Sequence, residues 1–242
     1  MGSTDAWNTI EVSIDGPVAH LRFDRPDQNN SVTVEMVDEV YASLTALADS
    51  DTVAVVVLTG NGRAFCPGAD LRLSQGDDAT SALPALEAYQ SARLLHEMPQ
   101  VTLAAVNGGC AGAGIAWASA CDLRVASSRA RFSTAFLDVG MAGELGLSWT
   151  LLRNVGGAWA RDISFLPRKL TAEEALAIGF VSRVFPDTTF AADVDAVVAE
   201  LASRSLPALR DLKANFLDAE RLDLATYIEL ESVRHQTNFR SS

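Results

Sequence analysis

Basic residues are in short supply in this chain. Lys and Arg number 19 against 31 Asp and Glu, and the resulting net charge of −12 repels nucleic acid and anionic membrane surfaces. An anionic ligand would therefore need a local cluster of cations. Cysteine is rarer still. Cys66, Cys110 and Cys121 are odd in number and stand in no CxxC or His-paired spacing, which argues against a disulfide framework and a metal site and leaves buried packing as their role. His20, His96 and His235 are isolated, with no Ser, Cys or Asp partner at a recognisable motif spacing. No apolar run approaches the roughly 20 residues needed to cross a bilayer, and the opening MGSTDAWNTI has no basic segment followed by an apolar one. A cytoplasmic protein without membrane or nucleic-acid partners is expected.

What the chain does have is apolar patterning. TIEVSIDGPVAHLRF reads as two alternating β-runs around Asp15-Gly16, a hairpin. Val37, Val40, Tyr41, Leu44 and Leu47 follow helical spacing within the stretch from Val34 to Leu47. VAVVVLTG and VTLAAVNGG have the unbroken apolar character of strands covered on both faces, AGAGIAWASACD reads as a helix of small residues, and LRVAS as another short strand. Thr171 and Glu174 form a capping-box pattern, Gly179 can stop that helix, and FVSRVFP follows as a strand. Strand, turn and helix units in alternation predict an α/β layered fold. From about Phe190 three amphipathic helical segments follow, so the pattern predicts a core domain over 1–189 and a helical C-terminal region over 190–242.

Two glycine-bearing segments each follow a buried strand: GRAFCPGADL and NGGCAGAGIA. Small residues there let backbone N–H groups approach a ligand, and a helix start favours negative charge. Two such amides converging on one oxygen would form an oxyanion hole, while each segment alone also reads as a plain turn. The GxGxxG spacing and its acidic partner are absent, so no dinucleotide fingerprint is present. Further on, FSTAFLDVGMAGELGLSWTLLRNVG carries two acids, Asp138 and Glu144, in a stretch nearly free of charge. Asp138 reads as solvated or paired, Asp70 as bonding nearby backbone N–H groups, and Asp162, beside Arg161, as surface charge.

AFCPGADL, VNGGCAGAGIAWASACDLRVAS, FSTAFLDVGMAGELGLSW and LTAEEALAIGFVSRVF, in this order and spacing, resemble the crotonase, or enoyl-CoA hydratase/isomerase, superfamily. FDRPDQNNSV is similar to that family's Arg-Pro then Asn-Ala/Ser signature, and the resemblance covers about residues 8 to 220. It implies a spiral of repeated ββα units with a helical C-terminal subdomain, assembled through residues 190–242 as a homotrimer or a dimer of trimers. Family members usually continue past HQTNFRSS with a final helical stretch. The implied substrate is an acyl-CoA thioester, with coenzyme A as part of the substrate and no separate cofactor or metal. Its carbonyl oxygen would lie between the backbone amides of Ala69 and Ala113. Ala113 stands where the family often has Gly, and the donor survives provided that Ala113 needs no positive φ. Such donors stabilise an enolate more than the neutral thioester.

Family members that hydrate enoyl-CoA use two glutamates, and the matching positions here are Ala116 and Phe136, neither of which accepts a proton. Ring-type enoyl-CoA isomerases and some chlorobenzoyl-CoA dehalogenases instead carry an Asp eight residues after the second position, which here is Glu144. The flanking AF and SW resemble the isomerase branch, whereas a dehalogenase is disfavoured because Glu replaces its nucleophilic Asp. The resemblance thus implies Glu144 as a proton shuttle in an apolar surround of Phe136, Met141, Leu145 and Trp149, which would raise its pKa. Decoration of a helix's first turn is the alternative. Phe136 and Trp149 are implied as substrate contacts, and Arg25 and Arg72 as ligands for CoA phosphates, with Arg63 a third cation near the loops. Core packing for Trp117, Trp149 and Trp159, and solvation for the arginines, are the plain alternatives. The implied reaction is a double-bond shift in an enoyl-CoA. A hydratase of altered active site and a catalytically degenerate acyl-CoA-binding protein remain open beside it.

Overall fold

The structure, a computed structural model, describes residues 7–69 and 83–241. It opens with the expected hairpin, β1 (Ile10–Asp15) and β2 (Val18–Phe23), paired antiparallel. Helix α1 (Val34–Ala48) follows, started by the Thr33 side chain, which accepts the Met36 N–H, and leads into β3 (Val55–Gly60). Next come α2 (Ser91–Glu97), β4 (Val101–Val106), β5 (Gly109–Ala111), α3 (Ala113–Ala120), β6 (Leu123–Ser127) and β7 (Arg131–Ser133). The second half holds α4 (Leu147–Asn154), α5 (Gly156–Phe165), β8 (Leu170–Thr171), α6 (Ala172–Ala177) and β9 (Arg183–Phe185), then α7 (Phe190–Ala202), α8 (Leu206–Ala219) and α9 (Leu224–Ser241). The expected capping box is present at α6, with Thr171 and Glu174 each bonding the other's backbone N–H.

The main sheet has the order β1-β2-β3-β4-β6-β9 and is parallel from β2 onward, while β5, β7 and β8 form a smaller sheet. The period of two along the central strands divides the interior into two layers. Val56, Leu58, Ala104, Val106 and Ala126 join the larger core with α1, α2 and α3. Their neighbours Val55, Val57, Leu103, Ala105 and Val125 face the other way, onto Phe190, Val194 and Val198 of α7 and Leu209 of α8. This double coverage explains the unbroken apolar runs of β3 and β4. All eight residues of α3 are buried, which suits its small side chains to a place between α2 and α4.

The C-terminal helices attach unequally. Lys213 of α8, only 5% exposed at its side chain, reaches in to donate to Leu95 O (3.1 Å) and Gln100 O (2.8 Å) and lies 2.8 Å from Asp122 Oδ2. Asp122 in turn accepts from Thr102 N at 2.7 Å and Thr102 Oγ1 at 3.0 Å. Arg234 ties α9 to α8 through Asn215 Oδ1 (2.7 Å) and Asp218 Oδ2 (2.6 Å), yet α9 has no buried residue among those described. No described helix is long and apolar enough to cross a membrane.

The Lys213 lock sets the first test. Removing one partner of a buried pair typically costs about 3–5 kcal/mol because the other is left uncompensated. Asp122 keeps its Thr102 donors, so Lys213→Ala should destabilise the fold by roughly the lower figure, read as a lower urea midpoint.

Candidate active site

The two glycine-bearing segments come together as backbone against backbone. Two buried asparagines prepare the first of them. Asn30 Nδ2 donates to Asn61 O (2.9 Å) and Ala64 O (2.8 Å), while its Oδ1 accepts from Arg25 N (2.9 Å). Asn107 Nδ2 donates to Gly60 O (2.9 Å) and Gly62 O (3.0 Å). These bonds fix the turn after β3, and the chain then runs beside β5: Cys66 N donates to Gly109 O (3.0 Å) and Ala111 N to Cys66 O (2.9 Å). The approach is close enough that a Cβ on Gly114 would stand 2.0 Å from Cys66 O, and one on Gly112 would stand 3.2 Å from Gly68 Cα. Only glycine fits at position 114.

Ala69 pairs with Val32 in a parallel bridge whose bond runs from Val32 N to Gly68 O, so the Ala69 N–H points away from Val32. Ala113 is the first residue of α3, where an N–H has no partner within the helix. The preceding Gly112 takes the positive φ of 53°, and Ala113 is not among the residues of positive φ, so its methyl group imposes no backbone strain. Neither amide donates to a described residue.

Glu144 sits in a turn whose backbone is left-handed at Gly143 (φ 121°), Leu145 (φ 52°) and Gly146 (φ 69°), immediately before α4. The bulky Leu145 tolerates that conformation because its side chain is buried in the main core. Glu144 itself is half-buried, and burial pushes its carboxyl above the ordinary range. Glu174 is the opposite case, held low by the Thr171 backbone N–H and by Arg168. The field of Glu144 reaches the strand of the first loop: the Cys66 thiol is pushed up to about 12, chiefly by burial and in smaller part by Glu144. Burial and then Glu144 also push the Tyr89 hydroxyl upward. Asp138 lies exposed in the short 3-10 turn Leu137–Val139. Ala116 and Phe136 are buried in the core, and Phe136 lines neither of the cavities beside the loops.

Those cavities differ in character. A groove of about 780 Å³ runs past Ala69 and is lined by Ser31, Arg63, Pro67, Gly109 and Arg129. Arg25 does not line it; its guanidinium donates to Ser31 O and, at 3.4 Å, to Ser31 Oγ, bracing the turn that holds Asn30. Arg72 and Asp70 lie outside the described residues. Arg129, which no sequence motif singles out, donates through Nε to Asn107 O (2.9 Å) and lies 3.0 Å from Asp187 Oδ1. The second cavity, about 350 Å³, is lined by Leu145, the residue after Glu144, and by Tyr89, Ala92, His96, Trp149 and Thr150. Trp149 is therefore a cavity wall, and His96 is not isolated, because Glu220 Oε2 lies 3.0 Å from its Nε2. Tyr89 and His96 could not be placed at the site from sequence, since no motif marks the stretch that carries them. Among the described residues no three His, Cys, Asp or Glu side chains are grouped as a metal site.

Comparison with known proteins adds to this geometry. A sequence model of the enoyl-CoA hydratase/isomerase family matches residues 13–242. The probable enoyl-CoA hydratase EchA12 of Mycobacterium tuberculosis is 36% identical over 218 residues, covering 85% of this chain and 76% of that protein. The human mitochondrial Delta(3,5)-Delta(2,4)-dienoyl-CoA isomerase is 31% identical over 214 residues, covering 83% of this chain and 65% of that protein. A Thermobifida fusca YX protein provisionally assigned as an enoyl-CoA hydratase, solved in complex with CoA, superimposes with a TM-score of 0.89 at 29% identity, over 96% of this chain and 93% of that one.

The close loop contact makes its own prediction. Gly114→Ala forces the Cys66 backbone away and should destabilise the protein by about 1–3 kcal/mol, as overpacking does. Gly109→Ala, where a Cβ meets nothing within 4 Å, should change the unfolding midpoint little.

Proposed function

Because the chain belongs to the enoyl-CoA hydratase/isomerase family, we propose that it binds an acyl-CoA thioester and shifts a double bond in an enoyl-CoA, with Glu144 carrying the proton. The observation that carries this reading is one half-buried carboxyl raised by burial in a chain whose Ala69 and Ala113 amides donate to no described residue, while Ala116 and Phe136 supply no acid. The thioester oxygen lies between the N–H groups of Ala69 and Ala113, the latter at the N-terminus of α3. Glu144 as carboxylate takes a proton from one carbon of the enoyl chain. The electron pair left behind delocalises through the conjugated system onto that oxygen, where two amides and the helix end meet the charge. The same proton then returns from Glu144 to a different carbon. No electrons leave the substrate and no cofactor is needed beyond the coenzyme A that the substrate carries.

Burial supports this role directly, because a carboxylate that is expensive to ionise is a stronger base. The acid's position eight residues past Phe136 resembles that of ring-type isomerases and of some chlorobenzoyl-CoA dehalogenases, and Glu in place of a nucleophilic Asp, with the flanking AF and SW, favours an enoyl group over a haloaryl one. The Thermobifida fusca relative holds CoA, and the groove bearing Arg63 and Arg129 offers cations for its phosphates against the chain's negative field. The relation to a named hydratase favours one second reading, in which Glu144 alone activates water. Product analysis separates the two, since hydration yields a hydroxyacyl-CoA and isomerisation an enoyl-CoA of equal mass to the substrate.

Glu144→Gln should keep the fold and acyl-CoA affinity but lower isomerisation by about 10²–10⁴-fold, with exchange of substrate protons into deuterated water falling alongside. In the parent protein kcat/KM should rise with pH as Glu144 ionises, with an apparent pKa above the ordinary carboxylate range. Stability has the opposite sign. Folded Glu144 holds its proton to higher pH than the unfolded chain does, so its ionisation destabilises the fold as pH rises through that window. The thermal midpoint of Glu144→Gln should therefore exceed that of the parent at neutral pH and converge with it below the ordinary carboxylate range.

The same family reading makes the chain a homotrimer or a dimer of trimers. Exposed Phe165, Leu166, Leu224 and Phe239 support it, being large apolar side chains that a partner subunit would cover. Light scattering should give at least three times the 25.7 kDa of one chain, and a stable monomer would overturn the assignment.

A further inference from the structure

The cavity that Leu145 lines also has His96 of α2 and Trp149 of α4 in its wall. A second cavity, of about 310 Å³, shares these two residues and Thr150 with the first, and reaches Leu123, Phe216 and Leu217. Together the two offer nearly twice the room of the first alone.

The shared wall has a fixed part and a part held only by side-chain contacts. Thr150 Oγ1 accepts from Ser119 Oγ at 2.7 Å and donates to Leu147 O at 3.0 Å, both buried, so that part is set by the core. His96 and Trp149 depend on each other and on two further side chains. Their rings meet edge to face, centroids 5.0 Å apart at 79°. Arg153 covers the Trp149 ring with Cζ 3.4 Å from its centroid, and Glu220 Oε2 lies 3.0 Å from His96 Nε2 and 3.9 Å from Arg153 Nε. Four side chains from α2, α4 and the end of α8 thus close a ring. Trp149 remains 43% exposed, so a change of its rotamer chiefly has to break the contacts with His96 and Arg153.

We propose that His96 and Trp149 form a gate that sets the length of the acyl group. With the gate closed, a short or single-ring acyl group fills the first cavity. With it open, the tail of a longer apolar acyl chain passes into the second. The charged groups along the path are already paired, Arg93 with Glu97, Lys213 with Asp122 and Arg153 with Glu220, which suits an uncharged tail. Glu220 is a positioning residue for the closed gate, meeting His96 directly and Trp149 through Arg153. The proposal rests on the acyl-CoA reading above.

Calorimetry with saturated butanoyl-CoA and decanoyl-CoA tests it without any turnover, and the ratio of the two dissociation constants is the readout. The parent protein should favour butanoyl-CoA. Trp149→Ala should shift the ratio toward decanoyl-CoA by at least about tenfold, the scale on which hydrophobic pockets discriminate chain length. Glu220→Ala should shift it in the same direction by less, and Glu220→Gln, which keeps an acceptor for His96, should restore the parent ratio. A merely structural role for Glu220 would weaken both esters alike and leave the ratio unmoved. If both esters bind and neither Trp149→Ala nor Glu220→Ala changes the ratio, the gate is refuted while the acyl-CoA reading stands. If the parent protein binds neither ester, the acyl-CoA reading fails and the gate with it.

Discussion

The contact between the Cys66 carbonyl and Gly114 is the constraint on which the site depends. At that point the loop after β3 and the start of α3 meet with no side chain between them, and any Cβ would stand 2.0 Å from the oxygen. Closeness there brings Ala69 and Ala113, each the owner of an amide without a described acceptor, to the same region of the molecule. Much of the polar chemistry nearby serves this arrangement. Asn30 and Asn107 hold the turn from Gly60 to Ala64, and Arg25 braces the segment that presents Asn30. In the Arg-Pro and Asn-Ser pattern near the N-terminus, Arg25 donates to Ser31 and Asn30 holds the turn after β3.

Around that contact the sheet works as a two-sided wall. One face carries the helices that bear the site, and the other is covered by α7 and α8, so the C-terminal region contributes to the main interior before α9 leaves it. Lys213 makes this attachment specific as well as apolar. An ammonium group placed against two carbonyl oxygens and Asp122 admits one register of α8, whereas apolar contacts alone tolerate sliding. Because Glu220 follows directly on α8, the same attachment delivers the carboxylate that meets His96 in the wall of the cavity.

The acid of the site owes its character to surroundings. Asp138 and Glu144 stand six residues apart in one stretch of sequence, yet one is exposed in a 3-10 turn and the other is half-buried before α4. Left-handed residues on both sides turn the chain so that Glu144 is partly withdrawn from water, and loss of hydration raises its proton affinity. Its charge raises the Cys66 thiol of the first loop on one side and the Tyr89 hydroxyl in the cavity wall on the other.

The sequence by itself determined the elements whose cause is local. The hairpin at Asp15-Gly16, helix α1, the two buried central strands, the small-residue helix α3 and the capping box at Thr171 follow from periodicity and capping chemistry that a few neighbouring residues carry. Glu144, Ala69 and Ala113 could be named by counting along motifs, because spacing is a property of the chain. Tertiary structure alone decided what those residues experience. Burial of Glu144, the direction of the Ala69 amide and the positive φ taken by Gly112 instead of Ala113 depend on segments far apart in sequence. The cation groove and the ring of His96, Trp149, Arg153 and Glu220 were invisible for the same reason: the members of the ring come from α2, α4 and the end of α8, and no local pattern records a meeting across 124 residues. Local energies write secondary structure into neighbouring residues, whereas desolvation and convergence are fixed only when the core closes around them.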